Sequence, residues 1–276
     1  FLASALLATL AARAGERGRF TISHGGHELP VWHYRPAGLA ADAPVLFVIH
    51  GVGRNAEDYL NEWIDQAEAS RFLLVVPEFT KREFPGEESF NSGNLFGAGG
   101  QLQPRETWSF SMIEPAFDAV RARLGSTRGD YAIYGHSAGA QFVQRFLYFV
   151  PEARVARAVA ANAGWYMLPD LERAFPYGLK GTPADATALR RALAFPLNVL
   201  LGDADIDPKH AALRHSPEAD EQGLFRFARG QYFFNHAKAV ASALNTPFNW
   251  MLSIAPNVAH SNKGMAPYAA RLLFPH

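Results

Sequence analysis

The chain has 276 residues, enough for one sizeable core and too few to demand two. At 49% apolar and 19% charged it reads as a folded globular protein, and 26 basic against 26 acidic side chains leave no net charge to draw it toward nucleic acid or an anionic membrane. The absence of cysteine excludes disulfides, thiolate nucleophiles and thiolate metal sites together.

Phe1 to Leu10 is an apolar run, and Ala12-Arg13-Ala14 has the small-x-small form of a signal-peptidase site. Residues 1–18 are therefore expected to be the remnant of an export signal, giving a secreted or periplasmic protein. The other reading is an amphipathic helix with Leu2, Leu6 and Leu10 on one face, which leaves a cytoplasmic location open. The run is too short to span a bilayer and no later stretch is long enough, so no integral membrane association is expected. Residues 19–276 are expected to form a single domain. Arg19–Ser23 and Leu29–Tyr34 read as leading strands turned at Gly25-Gly26. Val45–Ile49 is an apolar β-branched run between Pro44 and Gly51, as a strand buried on both faces requires. A helix follows over Asn55–Ser70, then a strand over Phe72–Val76, a helix over Phe110–Leu124 and a strand over Tyr131–Tyr134. Helical spacing resumes at Ser137–Val150, followed by strands at Ala158–Ala161 and Leu197–Leu201. A helix at Asn235–Leu244, a strand at Asn249–Ile254 and a closing helix at Met265–Leu273 complete the series. Strands alternating with helices of this length imply an α/β architecture with a mostly parallel sheet. Two long connections, Thr80–Trp108 and Gly164–Phe195, are rich in aromatics and read as binding loops, the second as a lid.

The sharpest motif is Gly135-His136-Ser137-Ala138-Gly139, which follows one predicted strand and opens the next helix. A sharp turn there lifts a serine hydroxyl clear of the sheet, and flanking glycines remove side chains that would clash. Such a nucleophile elbow makes Ser137 the candidate nucleophile and aims the Ala138 N–H at a developing oxyanion. A hydroxyl needs a base. His260 follows the last strand by a short loop, which completes the chain order Ser, acid, His. The acid should end the strand Leu197–Leu201, where Asp203, Asp205 and Asp207 all stand. Asp205 is the choice, Asp203 the reserve, and Asp207 before Pro208 reads as the N-cap of a following helix. The loop His50-Gly51-Val52-Gly53-Arg54-Asn55 supplies the second oxyanion-hole amide near Val52. Trp165, just past a strand end, is a candidate substrate contact, as is Asn94 in the aromatic loop. Arg54, with Arg105 and Lys180, would suit an acidic substrate. His136 fills the variable position of the elbow as a packing residue. No metal and no cofactor are expected, since neither H-E-x-x-H nor a phosphate-binding loop is present.

These motifs, with Gly202-Asp203-Ala204-Asp205 and Val258-Ala259-His260, resemble the α/β-hydrolase superfamily. More narrowly they are similar to its polyhydroxybutyrate depolymerase-like bacterial esterases, as are Asn162-Ala163-Gly164-Trp165-Tyr166 and Phe90-Asn91-Ser92-Gly93-Asn94. The resemblance implies the α/β-hydrolase fold: a mostly parallel central sheet, helices on both faces and a lid-like insertion. It also implies a serine esterase acting on a small-molecule or oligomeric ester through an acyl-enzyme. Members of that branch that cut amide-linked polymers such as poly(aspartic acid) make an amide or poly(amino acid) hydrolase the alternative. A non-catalytic binding protein of the same fold is a third reading, and such proteins typically lose one of Ser, His and Asp, all of which are present here. Nothing in the pattern specifies an oligomeric state or a macromolecular partner.

Overall fold

The computed structural model describes residues 15–275. The expected export signal or N-terminal helix lies outside these residues except for its last positions, which belong to the sheet: β1 runs Glu16–His24 and pairs with β2, His27–Arg35, across the Gly25-Gly26 turn. Then follow β3 (Val45–Ile49), α1 (Ala56–Ser70), β4 (Leu73–Pro77), a one-turn α2 (Gly86–Ser89), α3 (Ile113–Leu124), β5 (Tyr131–His136), α4 (Ala138–Phe149) and β6 (Val155–Ala161). The series ends with α5 (Ala186–Ala194), β7 (Leu197–Gly202), α6 (Pro217–Glu221), α7 (Arg226–Ala243), β8 (Met251–Ala255) and α8 (Asn262–Leu273).

The eight strands form one sheet in the order β1-β2-β4-β3-β5-β6-β7-β8. β1 and β2 are antiparallel additions to a parallel run from β4 to β8. Side chains alternate across the sheet because successive Cβ atoms point to opposite faces. Val45, Phe47 and Ile49 of β3 join a core with Phe142, Val143 and Phe146 of α4, Leu189 of α5 and Phe233 of α7. Leu46 and Val48 face the other way, into a core with Trp63 of α1 and Met265 of α8. Both faces are therefore dry, which is why the central strands read as unbroken apolar runs.

The structure adds the short helices α2 and α6 to the predicted elements, and three further departures bear on the site. α7 starts nine residues before the expected Asn235, at Arg226. The Gly164–Phe195 connection contains α5, capped by the Asp185 side chain accepting from the Ala188 amide at 2.8 Å. Its first part is packed, with Trp165 to Leu168 buried, so it forms a wall. Asp207 caps no helix: its Oδ1 accepts from the Lys209 amide within a turn. Among the described residues no helix is long and apolar enough to cross a membrane.

Candidate active site

At the C-terminal end of β5 the chain turns into α4 through Ser137, whose backbone has φ 59° and ψ −118°. That conformation is strained for a residue with a Cβ and persists because the surroundings fix it. The Ser137 amide donates to the Ala161 carbonyl of β6 at 2.9 Å. A Cβ on Gly135 would run into the Gly139 carbonyl, and one on Gly139 into the Ile49 carbonyl. Those two positions must be glycine for α4 to start so close to the sheet.

His260, on the loop between β8 and α8, points Nε2 at Ser137 Oγ (3.1 Å) and Nδ1 at Asp205 Oδ2 (2.8 Å). A carboxylate only accepts, so Nδ1 carries the hydrogen and Nε2 is free to accept from the serine hydroxyl. Asp205 is buried, whereas Asp203 turns away and accepts from the Asn257 amide at 2.6 Å, which pins the loop that carries His260. Asn162 ties the same region together. Its Oδ1 accepts from the Gly202 amide (2.8 Å) and its Nδ2 donates to the Ala259 carbonyl (3.3 Å).

Burial is the main force holding the His260 pKa below its ordinary 6.5; the hydrogen bond to Asp205 opposes it and the Arg226 cation adds to it. Arg226 is fully buried, with Nη1 3.4 Å from Asp205 Oδ1 and Nη2 3.2 Å from His210 Nδ1. His136, buried beneath His260 with ring centroids 4.6 Å apart, bonds the Tyr59 hydroxyl at 3.1 Å. Its pKa lies well below the usual value, through burial first and then the proximity of His260 and Arg226, so it stays neutral.

Ser137 opens into a cavity of about 330 Å³ lined by Val52, Ala138, Gln141, Trp165, Leu213 and Arg214 among others. The Val52 and Ala138 amides, one after β3 and one at the start of α4, have no hydrogen-bond acceptor among the described residues. Trp165 is a wall of the cavity. Its carbonyl accepts from Gln141 Nε2 (3.0 Å), and the Arg145 and Arg214 guanidiniums lie 4.5 and 4.8 Å from its ring centre.

Two expected substrate contacts do not reach the cavity. Arg54 is engaged inside the fold, donating to the Phe79 and Gly86 carbonyls at 2.6 and 2.7 Å over the Phe90 ring. Asn94 takes a left-handed turn conformation and spends its amide on the Thr107 carbonyl at 2.9 Å. Arg105 pairs with Glu152 beyond the C-terminal end of α4, about 18 Å along that helix from Ser137. Lys180 lines neither this cavity nor the one beside it.

No protein-family model matches the sequence, and no curated protein does. Among solved structures, poly(aspartic acid) hydrolase-1 from Sphingomonas sp. KT-1 is 46% identical over 95% of this chain and 99% of its own, with a TM-score of 0.92. LpqC, a poly(3-hydroxybutyrate) depolymerase from Bordetella parapertussis, is 34% identical over 95% and 91%, with a TM-score of 0.90. The chain belongs to the α/β-hydrolase family. An S-formylglutathione hydrolase from Agrobacterium tumefaciens shares the fold at 15% identity, covering 93% of this chain and 92% of its own, with a TM-score of 0.58.

As an α/β-hydrolase the protein carries several site residues that no motif announced. Gln141 stands one helical turn after Ser137, and that i, i+4 spacing is a readable sign that it faces the same cavity. Glu87, Arg214 and Arg226 gave no such sign, since each reaches the site from a loop or helix start that only the tertiary fold brings near. A second cavity of this hydrolase, about 480 Å³ and lined by Pro44, Asp130, Tyr131 and Phe274, lies at the opposite ends of the strands and touches none of these groups.

Proposed function

We propose that this α/β-hydrolase is a serine hydrolase that cleaves carboxylic esters through an acyl-enzyme. The observation that carries the reading is the unbroken hydrogen-bonded series Ser137–His260–Asp205, opening on a cavity lined by Val52 and Ala138, whose amides have no acceptor among the described residues. In this reading Ser137 Oγ attacks the ester carbonyl while its proton passes to His260 Nε2. Asp205 holds the imidazole tautomer and stabilises the imidazolium. The carbonyl electrons collect on an oxyanion that accepts from the Ala138 and Val52 amides, the former at the positive end of α4. Collapse breaks the ester bond, and the leaving alkoxide takes the proton from His260. Water, deprotonated by the same histidine, then attacks the acyl-serine and releases the acid.

The same machinery hydrolyses an amide if His260 can deliver its proton to an amine. The 46% identity to poly(aspartic acid) hydrolase-1 favours this second reading. A matched pair, a p-nitrophenyl ester and the p-nitroanilide of the same acyl group, separates them. The leading reading expects ester turnover to exceed anilide turnover by orders of magnitude; comparable rates would transfer the assignment to an amidase.

A further inference from the structure

Beside the Ser137 cavity lies a separate compartment of about 250 Å³. The two share three lining residues, Glu87, Trp165 and Arg214, so they adjoin along one shared wall. Beyond it the walls are largely hydrocarbon: Leu95 and Phe96 from the connection after β4, and Phe175 and Pro176 from the connection after β6. The rings of Phe96 and Phe175 meet at 5.5 Å and join these two long loops.

The cation of the shared wall, Arg214, is already paired. Arg214 Nη2 bonds Glu87 Oε2 at 2.7 Å, its face lies on Trp165, and Glu88 also acts on it. Arg145, wholly buried on the same indole, donates to the Asn91 carbonyl and lines neither cavity; its Nε and Nη2 have no partner among the described residues. Of the groups that line the compartment, Arg214 already pairs with Glu87 and Glu88 adds a second carboxylate, so a ligand carboxylate would meet no unpaired positive charge on these walls. Bringing one in would cost desolvation without a matching ion pair, whereas a hydrocarbon group only displaces water from apolar walls.

We propose that this compartment is a second subsite of the Ser137 cleft, taking an uncharged apolar group of the substrate: the hydrocarbon end of a medium-length acyl chain. It rests on the serine-hydrolase reading and extends it to substrate class. A volume of about 250 Å³ is room for several methylenes. Each methylene that leaves water there strengthens binding by up to about fourfold.

The test is the ratio of kcat/KM for p-nitrophenyl octanoate to that for p-nitrophenyl acetate, with p-nitrophenyl butyrate and the mono-p-nitrophenyl ester of succinic acid as a neutral and charged pair of equal length. The wild-type ratio should exceed about tenfold, and butyrate should be preferred to succinate. Ser92→Leu, which adds bulk on one wall, and Phe175→Ala, which removes another, should each lower the ratio about tenfold through KM for octanoate, with circular dichroism showing a retained fold. A flat series, a preference for succinate, or equal losses on both esters in the two variants would overturn the subsite. If turnover of every ester survives Ser137→Ala, the serine-hydrolase reading fails instead.

Discussion

Asp203 and Asp205 stand two positions apart on one loop and do different work because only one of them faces the imidazole. Asp205→Asn should leave His260 in place with the wrong tautomer favoured, and kcat should fall by about 10³–10⁴-fold. Asp203→Asn keeps an oxygen for the Asn257 amide and should cost less than about tenfold. Steady-state kinetics on the two variants decides, and a larger loss at Asp203 would contradict the assignment. Arg226 bears on the pH profile. The proposed mechanism needs neutral His260, whose lowered pKa should put the acid limb of kcat/KM below pH 6.5. Asp205, Arg226, His210 and neutral His136 are the titratable or charged groups around that ring. Removing the cation in Arg226→Met makes protonation of His260 easier, so the limb should move to higher pH, with Arg226→Lys restoring part of the shift. An unmoved limb would show that Arg226 serves the fold alone. At this scale Ser137, His260 and Asp205 were legible as candidates, because a motif and a chain order mark them, and the structure brings the three within hydrogen-bond reach. The sequence could not show that Arg54 and Asn94, expected as substrate contacts, bond neighbouring carbonyls instead of lining the cavity.

Among the elements, the sharp join of β5 to α4 is the one the site depends on most. Gly139→Ala would drive a methyl into the Ile49 carbonyl, and the backbone of α4 must shift to relieve it. A loss of about 2–3 kcal/mol is expected, lowering Tm by about 4–12 °C, with activity falling because Ser137 moves with the helix. Unchanged Tm and activity would mean that the close approach matters little. The strands were legible because Pro and Gly bound their apolar runs. The first half of α7 was not, since Arg226, Arg229 and Gly230 interrupt its apolar spacing. The fold explains each of them: Arg226 meets Asp205, Arg229 meets Asp220 and the Gly164 carbonyl, and Leu201 lies against the bare Gly230 Cα. α5 did leave a trace in Asp185, an N-cap ahead of Ala186-Thr187-Ala188-Leu189, but the prolines around it hid the pattern.

Over the whole molecule, a parallel sheet gathers the ends of β3, β5, β6, β7 and β8 at one edge, and the loops that follow them supply the site. That is the general reason ligands bind at the carboxyl ends of strands in open α/β sheets. The order of elements carried this much. It could not carry the pairing of Glu87 with Arg214, 127 positions apart, nor the shared wall those residues build with Trp165, because long-range contacts between loops leave no local periodicity. The central claim is that this arrangement activates one serine. Labelling the purified protein with a fluorophosphonate probe, beside Ser137→Ala, tests it most directly. Rapid labelling of the wild type at Ser137 and none in the variant is expected, with the two melting alike. Well-folded wild-type protein that resists the probe, or a variant that still labels at the wild-type rate, would contradict it.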